Sequence, residues 1–264
     1  MDRDEAEQAP LDESFPPVET GRRGFSRSQR RALTLGLLTL TLGVFLYLLP
    51  VGTRMALVTS IFAQRTVVTV LLLFALVTMS LLWSTGQRLD AWLFLYVNLR
   101  SRHSDWLDAV MWLSTQLGSF GFALLVAVTL LLVRLRRVAI VLLLGMLTLW
   151  LMVETVKALT DRSRPFNLLE DVRVVGWKAL GLSFPSGHTS QAFFLATLIS
   201  RHFQLGLGIT VGLYLLALFV GLTRIYVGAH YPRDVLAGAL LGSVWGVLAV
   251  IVDAYLLRLA SPLP

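Results

Sequence analysis

The chain of 264 residues is 56% hydrophobic and only 15% charged, with a net charge of +7. A soluble domain holds about 25% charged residues, so this composition excludes disorder, a coiled coil and most water-soluble folds, and its continuous apolar runs exclude a barrel. The positive balance comes from 21 Arg and two Lys, which suits loops beside anionic lipid rather than nucleic acid, and without Cys there is no disulfide, thiolate nucleophile or Cys-based metal site.

In chain order, residues 1–31 hold 13 of the 39 charged groups and lack apolar periodicity, which predicts a disordered tail. The first apolar run begins late and continues as a full span, so no cleaved leader is expected. A span needs roughly 20 apolar residues. Uncharged runs from Arg31 to Arg54 and from Arg65 to Arg88 predict a transmembrane hairpin over 32–87. Further spans are expected within Asp108–Arg134, Arg137–Glu154 (extended by Thr155 and Val156), Lys178–Arg201, His202–Thr223 and Val235–Leu257. Met55–Gln64 and Ala91–Leu99 are too short to cross, and their aromatic content suits the interfacial belt. The expected fold is all-α: a polytopic transmembrane helical bundle of about six to seven spans, with the active site at one membrane face. Its chemistry is expected in a domain over 88–264.

Polar residues are rare after residue 104, and three clusters of them stand at span ends. The first is Lys157, then six residues, then Arg164-Pro165. The second is Pro185-Ser186-Gly187-His188, and the third is Thr223-Arg224, His230 and Asp234. One loop joins the first two, and two crossings separate the second from the third, so parity brings all three to one face. Lys157, Arg164 and Arg224 offer cations to phosphate oxygens. Ser186 and Gly187 open a helix whose N–H groups and dipole favour an anion. The two histidines offer a nucleophile and an acid, and Asp234 follows His230 by the four residues needed to hold one ring nitrogen. No acidic cage for Mg²⁺ accompanies them, which points to metal-free phosphoryl transfer without a cofactor. Taken singly, each cation is commonly a headgroup anchor and each histidine structural; His103 and His202 keep that reading, and Glu154 is expected to pair with Lys157 one turn on. Jointly, five such residues in spaced clusters on one face argue for a site.

At these residues the chain resembles the type-2 phosphatidic acid phosphatase superfamily, whose pattern is Lys-x6-Arg-Pro, Pro-Ser-Gly-His and Ser-Arg-x5-His-x3-Asp. Thr223 replaces the family's Ser and keeps the hydroxyl. The resemblance covers roughly residues 88–257, and Leu107-Asp108 with Gln116-Leu117-Gly118-Ser119 looks like its start. It implies that His230 attacks phosphorus and becomes a phosphohistidine, that Asp234 orients it, and that His188 protonates the leaving oxygen and later activates water. It implies that Lys157, Arg164, Arg224, Ser186 and the Gly187 backbone hold the phosphoryl oxygens, with no metal. The substrates it implies are membrane lipid phosphates: undecaprenyl diphosphate, phosphatidate or phosphatidylglycerol phosphate. A lipid phosphotransferase using the same residues and a non-enzymatic membrane protein with a degenerate site remain as alternatives; oligomeric state stays open. Relatives place the site outside the cytoplasm, and the Arg134–Arg137 corner then sits inside, as the positive-inside rule asks. Two full spans before the domain would, however, put the Arg-rich tail outside.

Overall fold

A computed structural model describes residues 63–100 and 104–260, together with scattered positions between 36 and 59. The tail over 1–31, most of the first expected span, His103 and most of Met55–Gln64 lie outside the described residues. Every regular element among the described residues is helical: α1 (Arg65–Met79), α2 (Ser84–Arg100), α3 (Asp105–Thr115), α4 (Phe120–Leu132), α5 (Arg136–Thr160), α6 (Pro165–Leu168), α7 (Gly187–His202), α8 (Leu207–Tyr226) and α9 (Pro232–Ala260). Short 3-10 turns at Ser80–Leu82 and Gln116–Gly118 follow α1 and α3.

Among the described residues, four stretches are long and apolar enough to cross a membrane: Arg65–Leu82, Arg136–Leu168, Leu207–Tyr226 and Pro232–Ala254. The interval expected as one span over 108–134 is instead α3 and α4, bent by 57°. Ser119 sets the break by capping the new helix, its side chain accepting from the Phe122 N–H at 3.1 Å. With that bent pair counted as one, the described residues supply five spans by length and composition, where six to seven were expected over the whole chain.

Helix α7, sixteen residues and mostly buried, forms the axis of the bundle. It runs parallel to α9, and the two meet along a stripe of small residues on α9. A Cβ at Gly238 would lie 2.7 Å from the Ser186 carbonyl oxygen, one at Gly242 2.1 Å from that of Ser190, and one at Gly246 2.5 Å from Thr197 Cβ. In lipid the hydrophobic effect does not drive helices together, so such close approach carries the association. It also fixes the head of α7 beside the head of α9. The core continues through Leu142, Met146, Leu149 and Val153 of α5 against Phe194, Leu195 and Leu198 of α7.

The arrangement gives the bundle two distinct ends. α5 and α8 finish, and α7 and α9 begin, at one end. α1 arrives there too, since Val67 packs on Val244 and Val247 far along α9, whereas Val77 lies with Ala237 near its start. α2 does not cross beside α1. Phe94 packs on Ile225, Tyr231 and Val235, so the helix lies over this same end, where Ala91–Leu99 was expected at the interface. Arg65, the Arg134–Arg137 corner and Arg201 fall at the opposite end.

Candidate active site

Chain termini of five helices converge on the first end, and each carries part of the site. α5 closes at Asp161 in a left-handed cap, φ 46°. The chain then turns through Arg162 and Arg164 into a connection that runs to Ser186. Asn98 of α2, fully buried, pins that connection: its amide donates to the Arg173 and Tyr226 carbonyls, both at 2.9 Å, and its oxygen accepts from the Arg173 N–H at 2.9 Å. Asp108 of α3 adds a second tie by accepting from the Arg173 guanidinium and from the Tyr226 hydroxyl at 2.6 Å. After α8 the chain reverses at Gly228, φ 83°, where a Cβ would meet the Arg173 carbonyl at 2.4 Å. The turn delivers His230 and Asp234, both buried.

Arg164 anchors the centre. Its Nε donates to the Gly181 carbonyl at 3.1 Å and its Nη2 to Leu180 at 2.9 Å. Its Nη1 donates to the Ala229 carbonyl at 3.0 Å and meets His230 Nε2 at 3.1 Å. A guanidinium has no acceptor, so that contact makes Nε2 the acceptor and places the ring proton on Nδ1. Burial first, then Arg164, Arg224 and Lys157, hold the His230 pKa well below the usual histidine value, so the imidazole is neutral. Its Nε2 lone pair thus points at a cation that can also hold a phosphoryl oxygen.

Asp234 was expected to hold the other ring nitrogen, and the geometry is looser than that. His230 Nδ1 stands 3.5 Å from Asp234 Oδ2, an ion-pair separation without a hydrogen bond. The carboxylate is committed elsewhere: Oδ1 accepts from Arg162 Nη1 at 2.5 Å, and Oδ2 from the Ser183 hydroxyl and from the Tyr231 N–H at 2.9 Å. Catalytic hydrogen bonds are often long in unliganded enzymes. Tyr231, Ser183 and Arg162 therefore aim the carboxylate, with the ring one short movement away.

The remaining expected residues arrive at the same place. Arg224, buried, donates from Nη1 to Thr115 Oγ1 at 2.8 Å, while its Nε has no partner among the described residues. Ser186 caps α7, accepting from the Thr189 hydroxyl at 2.9 Å, and its own N–H goes to the Asp234 carbonyl at 3.0 Å. The first-turn N–H groups of Gly187 and His188 point out of the helix end. His188 lies within electrostatic reach of Arg224, His230, Arg164 and Lys157. A Cβ at Gly118 would lie 2.4 Å from the His188 carbonyl, so the break before α4 closes directly on this helix head. Lys157 Nζ is held by Glu154 at 2.8 Å, the expected one-turn pair, and acts on the histidines through its field. His202 belongs to the other end, 3.2 Å from Asp253.

Sequence reasoning missed Arg162, Ser183, Thr115, Gln87 and Asp90. Arg162 carried a legible signal, standing two residues before Arg164 in the polar run that follows the long apolar helix. Thr115, Gln87 and Asp90 become visible only when α2 and α3 fold over the site, and Ser183 only when its connection folds back onto Asp234.

The PAP2 superfamily signature matches residues 137–258, which hold all three clusters. The chain is also 33% identical to Aquifex aeolicus LpxE, whose crystal structure it matches over 93% of that chain and 60% of its own with a TM-score of 0.54. The chain belongs to the PAP2 superfamily. Another PAP2-type neighbour, a phosphatidylglycerolphosphate phosphatase from Bacillus subtilis, shares the fold at a TM-score of 0.63 and 24% identity, over 73% of this chain and 98% of that one. An undecaprenyl-diphosphatase from Sulfolobus acidocaldarius is 32% identical over 124 residues, which is 46% of this PAP2 chain and 58% of that protein's length.

Proposed function

We propose that this protein is an integral membrane phosphatase that hydrolyses a lipid phosphate or diphosphate through a phosphohistidine at His230. The observation that carries the reading is the contact between Arg164 Nη1 and His230 Nε2, which joins a neutral nucleophile to a phosphate-binding fork. When a phosphoryl group enters, Arg164 turns its donor to a phosphoryl oxygen and frees the Nε2 lone pair. Nε2 attacks phosphorus in line, the bond to the leaving oxygen breaks, and His188 gives that oxygen its proton. The Nδ1–H charge that develops is met by Asp234. His188 then takes a proton from water, which displaces His230. Arg164, Arg224, Lys157 and the head of α7 oppose the charge on the equatorial oxygens, where fixed donors count most. The groups that converge are cations, a poor cage for a hard divalent ion, so the reaction proceeds without metal.

A lipid substrate is supported by the position of the site at a bundle end and by its rim. Trp177 and Leu180, 86% and 92% exposed, stand on the connection whose carbonyls hold Arg164. The relative named undecaprenyl-diphosphatase favours a polyprenyl diphosphate. Phosphate release from farnesyl diphosphate, phosphatidate and phosphatidylglycerol phosphate, measured on detergent-purified protein in EDTA, tests this. Release from at least one is expected, the diphosphate fastest. No release from any of them by folded protein would overturn the reading, and activity restored only by Mg²⁺ would overturn the metal-free step. Transfer of the phosphoryl group to an added lipid alcohol in preference to water would mark a phosphotransferase.

The site faces away from the cytoplasm. Arg65, Arg134, Arg136, Arg137 and Arg201 gather at the opposite end, which the positive-inside rule assigns to the cytoplasm. Because the chain has no Cys, a membrane-impermeant thiol reagent on intact cells should label Leu180→Cys and spare Leu132→Cys. The reverse pattern would invert the orientation.

A further inference from the structure

Behind His230 lies a buried charge network that the three clusters do not contain. The Arg162 guanidinium forks between two acids: Nη1 to Asp234 Oδ1 and Nη2 to Asp90 Oδ2, both at 2.5 Å. Nη2 also reaches Gln87 Oε1 at 2.9 Å, and the guanidinium carbon sits 4.2 Å over the Tyr231 ring, which fixes the plane of the fork. Asp90 is shared in turn. Its Oδ1 accepts from the Arg233 N–H at 3.0 Å, and the Arg233 side chain lies 3.1 Å from its Oδ2 and donates to the Ser80 carbonyl at 2.7 Å. Two acids face two arginines, and the set is neutral. Asp90 and Gln87 stand on α2, outside residues 137–258 that the superfamily signature matches.

We propose that Asp90 is a positioning residue for phosphoryl transfer: by holding half of the Arg162 fork, it keeps Arg162 from closing on both oxygens of Asp234 and leaves that carboxylate facing His230. A guanidinium and a carboxylate prefer two parallel hydrogen bonds. Without Asp90, Arg162 would swing into that arrangement and take Oδ2, the oxygen 3.5 Å from His230 Nδ1. The imidazolium formed during attack would then lose its counter-charge. Arg164, Arg224 and the head of α7 keep their contacts, so the loss falls on the chemical step and not on phosphate binding.

The inference rests on the proposed phosphatase reading, and one experiment separates the two. Wild-type phosphate release, on whichever lipid phosphate is turned over, tests the reading of the site; the ratio of variant to wild-type rates tests Asp90. Asp90→Asn keeps the acceptor for the Arg233 N–H and removes the charge. It is expected to lower kcat about tenfold, the equivalent of ~1.4 kcal/mol in the barrier, with KM within about twofold. In an Arg162→Gln background the same substitution is expected to change nothing further, because Asp90 acts through Arg162. Losses that multiply in the double variant, a loss carried by KM, or wild-type kcat in Asp90→Asn would each overturn the proposal. Should Asp90→Asn not fold, Gln87→Leu carries the test, since it leaves every charge in place. A two- to fivefold fall in kcat, about half the Asp90→Asn effect in barrier terms, supports the role, and unchanged kcat overturns it.

Discussion

The two ends of the bundle hold similar charged residues and use them in opposite ways. At the far end, Asp253 accepts from Arg137 Nε at 2.6 Å and lies 3.2 Å from His202, and its backbone carbonyl accepts from Arg137 Nη2 at 2.6 Å. Cation and anion are matched there, and three helices, α5, α7 and α9, are tied together. At the site end, Arg162 and Arg233 are matched by Asp90 and Asp234, but Arg164 and Arg224 make no ion pair among the described residues. They are held by carbonyls, a hydroxyl and a neutral imidazole. Burying like charges without counter-charge costs stability, and neutral acceptors position the forks without neutralising them. Positive field is left over inside the protein where the mechanism needs it, whereas at the far end the interior charges are matched and the surplus arginines, Arg65, Arg134, Arg136 and Arg201, stand exposed.

The comparison is sharpened most by His230→Ala. Turnover is expected to fall by more than about 10⁴-fold, because no other group replaces a covalent nucleophile, with the melting temperature close to wild type. Phosphate release alongside thermal unfolding in detergent reads both. Next, the same change of Arg to Gln can be made at either end. Arg224→Gln should cost about 10²–10³-fold in kcat, as for loss of one donor to a developing oxyanion, while stability holds or rises because a buried, unmatched cation is gone. A fall in stability with activity intact would erase the difference between the ends.

Gly242→Ala tests the packing that joins the two. Its Cβ would come 2.1 Å from the Ser190 carbonyl, so α7 and α9 must separate, at about 1–3 kcal/mol. Activity is expected to fall with stability, since the heads of both helices carry the site. The smallest effect belongs to Arg137→Gln. That side chain is 39% exposed, water replaces part of what is lost, and about 1 kcal/mol of stability should go, with kcat unchanged.

Much of this was legible in the residues themselves. Apolar runs between charges located the long helices, and parity placed Lys157, Arg164, Ser186, His188, Arg224 and His230 at one end before any coordinates. The Gly238, Gly242 and Gly246 stripe was equally readable, at every fourth residue, but its partner was not, because close approach depends on which helix lies opposite. The bend at Ser119 hid inside an unbroken apolar run, where hydropathy carries no direction. Asn98 looked like an ordinary polar residue of the interfacial stretch Ala91–Leu99, and Asp90 like one just before it. Their roles arise from α2 lying across the bundle end, some seventy residues in sequence from Arg162 and Arg173. The diversion of Asp234 to Arg162 and Ser183 was hidden for the same reason: spacing shows what a carboxylate can reach, not what competes for it.

The covalent step at the unmatched end can be observed directly. Wild-type protein turning over a lipid phosphate labelled at the transferred phosphorus would be quenched in base, where a phosphorus–nitrogen bond survives, and the label mapped to a peptide. Label on the peptide carrying His230, absent from His230→Ala, is expected. Label on the peptide carrying His188, or turnover with no labelled peptide at all, would contradict the assignment of His230 as the nucleophile.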